Sequence, residues 1–324
     1  MRTGRIALLA LGAVASVAVG LMLGSVSSGP AGLIRALNDP ASTEATILFS
    51  LRLPRVLLAF AVGAGLALTG TALQALVRNP LADPYLLGLS GGAGLGAVLA
   101  IALTAAGAWT VPIAAWVGAI VAVGLVYRLA LVAGRRLDPR ILLLAGVVVS
   151  AFTGAIMAAV LTLVASTELR NAFLWLMGGF GAASWQSLAV FSAYAVVPAL
   201  LLGVGGRNLD LLSLGEEPAQ YLGADVERVK RVIYFSASLL TAAAVAVSGV
   251  VGFVGLVVPH AMRRVVGPLH RSLIPAVCLT GGSFMVLADA LARTVASPLE
   301  LPVGVVTAVI GVPLFALLLR RTLR

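Results

Sequence analysis

The run VKRVIYFSASLLTAAAVAVSGVVGFVGLVVPHAM, from Val229 to Met262, is 34 residues long. One bilayer crossing takes about 20 apolar residues, and tilt does not absorb so large an excess. Ser248, Gly249, Gly252 and Gly255 cluster at its middle, and Pro259 perturbs its second half. The run therefore reads as two helices separated by a turn or a break. On either side of it, eight more apolar runs lie at about 6–26, 56–77, 85–106, 109–133, 141–165, 186–205, 273–294 and 302–319. With the long run divided, the expectation is an all-α fold: a polytopic membrane helical bundle of ten transmembrane helices, one domain over residues 1–324.

Charge placement gives an independent reason for the division. Arg2 and Arg5 put the N-terminus in the cytoplasm by the positive-inside rule, and Arg320, Arg321 and Arg324 put the C-terminus there too. Nine crossings contradict that arrangement and ten satisfy it. With ten helices, 17 of the 22 basic residues are cytoplasmic, leaving Arg35, Arg52, Arg55, Arg170 and Arg293 outside or near the outer ends. The first run imitates a secretory signal, with Ser25, Ser27 and Ser28 as small cleavage residues. It is longer than the roughly 7–15 residues of a signal h-region, so a retained first helix is expected.

Composition excludes other classes. Hydrophobic residues make up 60% and charged residues 10%, against roughly 25% charged in soluble domains. A net charge of +10 would raise the question of nucleic acid, but the basic residues sit singly between apolar runs and read as topology signals instead. Cys278 is the only cysteine, and His260 and His270 are ten apart, so neither a disulfide nor a cysteine-rich metal framework is expected. Gly92-Ala-Gly-Leu-Gly-Ala97 fits a relaxed dinucleotide fingerprint, yet it lies in an apolar run with no acid downstream, where close helix packing explains it. With Lys230 as the only lysine there is no P-loop, so ATP-driven work requires a separate subunit.

Several residues remain as candidates. Asp289 is the one acid clearly within a span, a default ion-pathway candidate, but Arg293 lies four residues on and a local ion pair explains it equally well. Arg52 and Arg55 place positive charge on the side that usually avoids it. With Arg293 they read as a docking patch for acidic residues of an extracytoplasmic partner, against the alternative of snorkelling to headgroups. Gly146, Ser150 and Gly154 recur at four-residue spacing, as do Gly304 and Ala308, followed by Gly311. They permit close crossings within the chain, between copies or along a substrate path. The longest polar cytoplasmic loop, about 207–228, contains a short helix expected to begin near Glu216 and stop at Gly223.

Several motifs stand in order: Arg52-Leu-Pro-Arg55; Gly70 to Pro84, GTALQALVRNPLADP; Leu87-Gly-Leu-Ser-Gly-Gly92; Leu214 to Gly223, LGEEPAQYLG; Gly252 to His260, GFVGLVVPH; and Leu301-Pro-Val-Gly304. Together they resemble the permease subunits of type II ABC importers, which move iron-siderophores, haem and cobalamin across the bacterial inner membrane. The resemblance covers nearly the whole chain. It implies ten spans and a homodimer whose pathway is lined mainly by the fifth and tenth. It also implies two cytoplasmic ATP-binding subunits, which hold ATP and Mg, and a periplasmic binding protein that delivers cargo.

On that resemblance, Leu214, Gly215, Glu216, Glu217, Ala219, Leu222 and Gly223 form the coupling segment, and Arg52, Arg55 and Arg293 face glutamates of the binding protein. Pathway or dimer candidates are Gly146, Ser150, Thr153, Gly154, Met157, Gly304, Ala308 and Gly311. The chain itself is expected to bind no cofactor or metal and to catalyse no reaction. The competing class is an ion-coupled secondary transporter, which needs an intramembrane ion site and often shows inverted repeats. Only Asp289 is available for the former.

Overall fold

The computed structural model of the chain describes residues 2–24, 29–103, 107–134 and 137–322, so Ser25, Ser27, Ser28, Arg135, Arg136 and Arg324 lie outside the described residues. Among the described residues every regular element is a helix. The first two are α1 (Arg2–Met22) and α2 (Gly29–Asn38). One helical stretch then runs from α3 (Thr43–Thr46) through a π-helical segment (Ile47–Arg52) into α4 (Leu53–Val77). A 3₁₀ turn (Pro84–Leu87) leads to α5 (Leu89–Ala102), α6 (Thr110–Gly134), α7 (Pro139–Leu163), α8 (Ser166–Leu176) and α9 (Trp185–Val204). Two short helices, α10 (Gly206–Ser213) and α11 (Glu216–Tyr221), precede α12 (Val226–Ser248), α13 (Val254–Val266), α14 (His270–Thr294) and α15 (Val303–Thr322). Among the described residues seven helical stretches are long and apolar enough to cross a membrane, and α5 and the Val303–Leu317 part of α15 are shorter apolar segments.

The long run divides where its small residues cluster. α12 ends at Ser248, Gly249 takes φ +65°, and Phe253 is left-handed at φ +71° just before α13. The break is held from both sides: the Tyr85 hydroxyl donates to the Val251 carbonyl (2.9 Å) and accepts from the Val251 amide (3.1 Å), while the Gly179 amide donates to the Ser248 carbonyl (2.7 Å). Backbone groups freed by a broken helix inside an apolar bundle need such partners.

Burial distinguishes helices that are apolar on every side. The 43–77 stretch and α12 are mostly enclosed by protein, whereas α1, α6, α7 and α9 keep most of their surface open, as lipid-facing helices do. α4 is the axis of the core and packs on α14, α12, α13 and α9. Its approach to α13 requires glycine at position 70, because a Cβ there would lie 1.9 Å from the Gly255 carbonyl oxygen. The Gly92 motif is a packing surface of the same kind: a Cβ on Gly92 would stand 2.4 Å from the Gly118 oxygen of α6.

Two boundaries differ from the sequence expectation. The second span begins at Thr43 and not near 56, because the π turn, in which the Leu53 amide donates to the Leu48 carbonyl, carries the helix past Pro54 without an α-helical donor there. The third apolar run yields a helix starting at Leu89, since Asp83 caps a separate 3₁₀ turn that Gly88 (φ +78°) closes. That turn aims Tyr85 at Val251.

Candidate functional site

Three regions collect the expected residues. The first is the segment between α9 and α12. Gly215 (φ +119°) turns the chain between α10 and α11, and Gly223 (φ +83°) turns it after α11, conformations that favour glycine. Ala219 is buried and fixes one side of α11 to the bundle, while Leu214, Tyr221 and Leu222 are 64%, 90% and 56% exposed. Glu217 is exposed as well. α11 therefore presents apolar and acidic side chains outward from a fixed seat.

The seat is built on Lys230 of α12, which is 2% exposed. Its ammonium donates to Glu216 Oε2 of α11 (3.0 Å), pairs with Glu227 Oε1 (2.8 Å) and donates to the Leu137 carbonyl between α6 and α7 (2.7 Å). Three donors meet three acceptors from three parts of the chain. The expected helix from Glu216 to Gly223 is thus present as α11. The sequence reading left Lys230 without a role, although its isolation among 21 arginines was a signal. A compact ammonium can satisfy three diverging acceptors, which a planar guanidinium cannot do as well.

The second region gathers the arginines expected to dock a partner. Asp289 of α14 is wholly buried, and it receives Arg55 Nη2 at 2.9 Å and Arg293 Nε at 3.0 Å. Arg55 also pairs with Glu300 through Nη2 at 2.9 Å. Arg52 donates to the Leu21 carbonyl (2.8 Å), and Arg293 donates to those of Leu23 (2.9 Å) and Gly20 (3.0 Å). Those carbonyls end α1, where unpaired acceptors and the helix dipole favour cations. Arg52, Arg55, Arg293 and Glu300 together line a hollow of about 310 Å³. The structure thus brings all three arginines to one place, with much of their hydrogen-bonding capacity already engaged inside the chain.

The third region is the pair α7 and α15. α7 packs on α5, α6 and the 84–87 turn, and α15 packs on α13 and α14. Gly146 faces the Leu86 carbonyl, where a Cβ would lie at 2.1 Å, and Thr153 is buried against Gly91 near Ser150. Met157 is half-buried beside Gly94. Gly304 meets the Met177 carbonyl and Gly311 meets Phe253, so these glycines serve crossings within the chain. Gly154 has open space around it, and Ala308 is half-buried.

Two pairings on the α10 side lay outside the sequence reading. His270 Nδ1 lies 2.6 Å from Asp210 Oδ1, tying the start of α14 to α10, and Arg263 of α13 donates to the Gln74 side chain of α4. Both border a cavity of about 730 Å³ that is also lined by Arg78, Arg207 and Arg264. In the nearby α4–α5 connection, burial pushes the Asp83 carboxyl up to about 6, against the opposing effect of its hydrogen bond from the Tyr85 amide. Among the described residues no three His, Cys, Asp or Glu side chains group as a metal site would need.

The FecCD transport family matches residues 10–321. The chain is 45% identical to the cobalamin import system permease protein BtuC of Halobacterium salinarum over 278 residues, 86% of this chain and 74% of that one. It is 40% identical to the hemin transport system permease protein HmuU of Yersinia pestis over 322 residues, 97% of this chain and 96% of that one. A solved structure, described as an inward-facing conformation of a transporter assigned to the metal-chelate type of ABC transporter, superposes with a TM-score of 0.88 at 32% identity. It covers 98% of both chains.

Proposed function

From the premise that the chain belongs to the FecCD transport family, we propose that it is the membrane permease subunit of an ATP-driven importer. Its cargo is a chelated metal, an iron-siderophore or haem, handed over by a periplasmic binding protein. The chain acts as a homodimer in the bacterial inner membrane on two ATP-binding subunits. It crosses the membrane ten times, the seven long stretches being joined by α5, α13 and α15, with both termini cytoplasmic.

The observation that carries this reading is the α10–α11 segment. A six-residue helix with buried Ala219 and exposed Tyr221, flanked by exposed Leu214 and Leu222, is an anchored handle, suited to a cleft on an ATPase. Binding and hydrolysis of ATP act on that handle, and loaded binding protein acts on the opposite face. The central path opens to one side or the other by the difference in their affinities for the two states, with no chemistry on the cargo. At the outer face, a carboxylate of the binding protein entering the 310 Å³ hollow would meet Arg52, Arg55 and Arg293 and compete with Glu300 for Arg55.

Cobalamin is the second cargo reading, supported by the 45% identity to a cobalamin permease. An ion-coupled mechanism has less support, because Asp289 is already neutralised by two arginines. The test is purification of the tagged chain with its native neighbours, followed by ATPase assay and mass spectrometry of subunits and retained ligand. A stoichiometric ATPase and a retained chelate are expected. A chain that purifies alone and drives uptake from an imposed proton gradient would overturn the proposal.

A further inference from the structure

We propose that Lys230 is the joint through which motion of α11 is passed to α7, making it a positioning residue for energy coupling. The inference rests on the permease reading above, and it assigns a role to a residue that reading does not use.

Lys230 stands on α12, but two of its three contacts lead away from α12. Glu216 is the first residue of α11, and the Leu137 carbonyl sits one residue before Asp138, which caps α7 by accepting the Arg140 amide at 2.8 Å. Glu227 closes the ring a second time, since its Oε2 accepts the Leu137 amide at 3.4 Å while its Oε1 holds the ammonium at 2.8 Å. α11 and the start of α7 are therefore clamped to the same ammonium. A buried cation with its donors filled resists separation from any one acceptor, because leaving it exposes a charge to a poorly solvated site. A push on α11 then carries the 137–139 corner with it.

The helix so reached keeps one side open, with Leu144, Val147, Val148 and Phe152 58–66% exposed, whereas α4 is enclosed in the core. A helix free on one side can move at lower cost than a helix packed all round. The clamp thus joins the exposed handle to a span that the core does not enclose. Substitution at Lys230 leaves Glu216 and Glu227 about one-third exposed, so water can solvate them and the fold can persist.

The experiment uses the full complex in proteoliposomes. Spin labels are placed at Gln220→Cys on α11 and Arg140→Cys on α7, both exposed positions, in a Cys278→Ser background. With Lys230 present, the label separation stays the same in the nucleotide-free and ATP-trapped states. In Lys230→Met it differs between them, and cargo moved per ATP hydrolysed falls at least tenfold while ATPase co-purification and basal hydrolysis persist.

Glu216→Gln, which loosens only the α11 contact, lowers the same ratio severalfold and serves if Lys230→Met does not insert. The inference is overturned if either variant transports within twofold of the wild-type ratio. It is also overturned if transport is lost while the label separation stays invariant. Failure of the permease reading is distinguishable, because the unsubstituted chain would then recover no ATPase at all.

Discussion

Replacing Asp289 by Asn separates a structural role for the buried carboxylate from an ion-pathway role. The carboxylate holds Arg55 at 2.9 Å and Arg293 at 3.0 Å from a position with no exposed surface. Removing one partner of a buried pair costs about 3–5 kcal/mol, because an uncompensated charge remains. Here two guanidiniums lose their shared anion, but Arg55 keeps Glu300 and Arg293 keeps the carbonyls of Gly20 and Leu23, which places the loss at the lower end. A loss of about 3 kcal/mol lowers the midpoint of thermal unfolding by roughly 5 °C for a chain of this size. The assay pairs thermal unfolding in nanodiscs with ATP-driven uptake measured with and without a protonophore. The expected result is a lowered midpoint and, below it, uptake that the protonophore does not affect. An unchanged midpoint with uptake abolished would refute the structural role and make Asp289 a proton site.

Four further outcomes follow from other contacts. Gly70→Val puts side-chain atoms where even a Cβ stands 1.9 Å from the Gly255 oxygen, so it should abolish stable insertion, seen as aggregation on size exclusion; a monodisperse variant would contradict the packing. Gly223→Pro forces φ +83° towards about −65° and removes the amide that donates to Gln220, so ATP hydrolysis should persist with transport lost at least tenfold. Glu300→Gln frees Arg55 for a partner carboxylate and should tighten binding-protein association severalfold at low salt, an effect that fades as salt rises. The Asp83 carboxyl, raised by burial to about 6, binds its proton more tightly in the folded chain than in the unfolded one, so its stabilisation is complete at low pH and is lost as pH rises through the range of about 4–6. Asp83→Asn keeps an oxygen for the Tyr85 amide and should remove that decline, read as unfolding midpoints across the window.

The bundle was legible in the sequence where the signal is local. A 34-residue run with small residues at its centre can only be two helices in lipid, and the break falls at 249–253 beside those residues. Gly215, Glu216 and Gly223 bound a helix because turn glycines and an acidic first turn act over a few residues. The start of the second span was not legible. Pro54 signals a boundary, and only the π turn, set by hydrogen bonds of Ile47–Arg52, lets the helix pass it. The arginines illustrate a further limit. Arg52, Arg55 and Arg293 run against the positive-inside bias, which marks them as unusual, but the acceptors of Arg52 and Arg293 are the last carbonyls of α1, 30 or more residues away in sequence. No pattern of side chains encodes a backbone acceptor at that separation.

The two buried charge clusters differ in what they join, and the difference bears on how the bundle moves. At one end Arg52, Arg55, Arg293 and Asp289 bind α1, α4 and α14 to one another, three helices whose mutual packing is already extensive. Breaking that cluster weakens a block that other contacts still hold. At the other end Lys230 joins α11 and the α6–α7 corner to α12; α12 also packs along α6, where the Tyr234 hydroxyl donates to the Val123 carbonyl, but α11 and α7 have little direct contact, so the charge cluster is the main tie between those two. A force applied at α11 therefore meets a rigid core of α1, α4 and α14 on one side and, through one ammonium, a half-exposed α7 on the other. Motion follows the weaker constraint, and this gives the exposed glycine-bounded helix and the solitary lysine a common purpose.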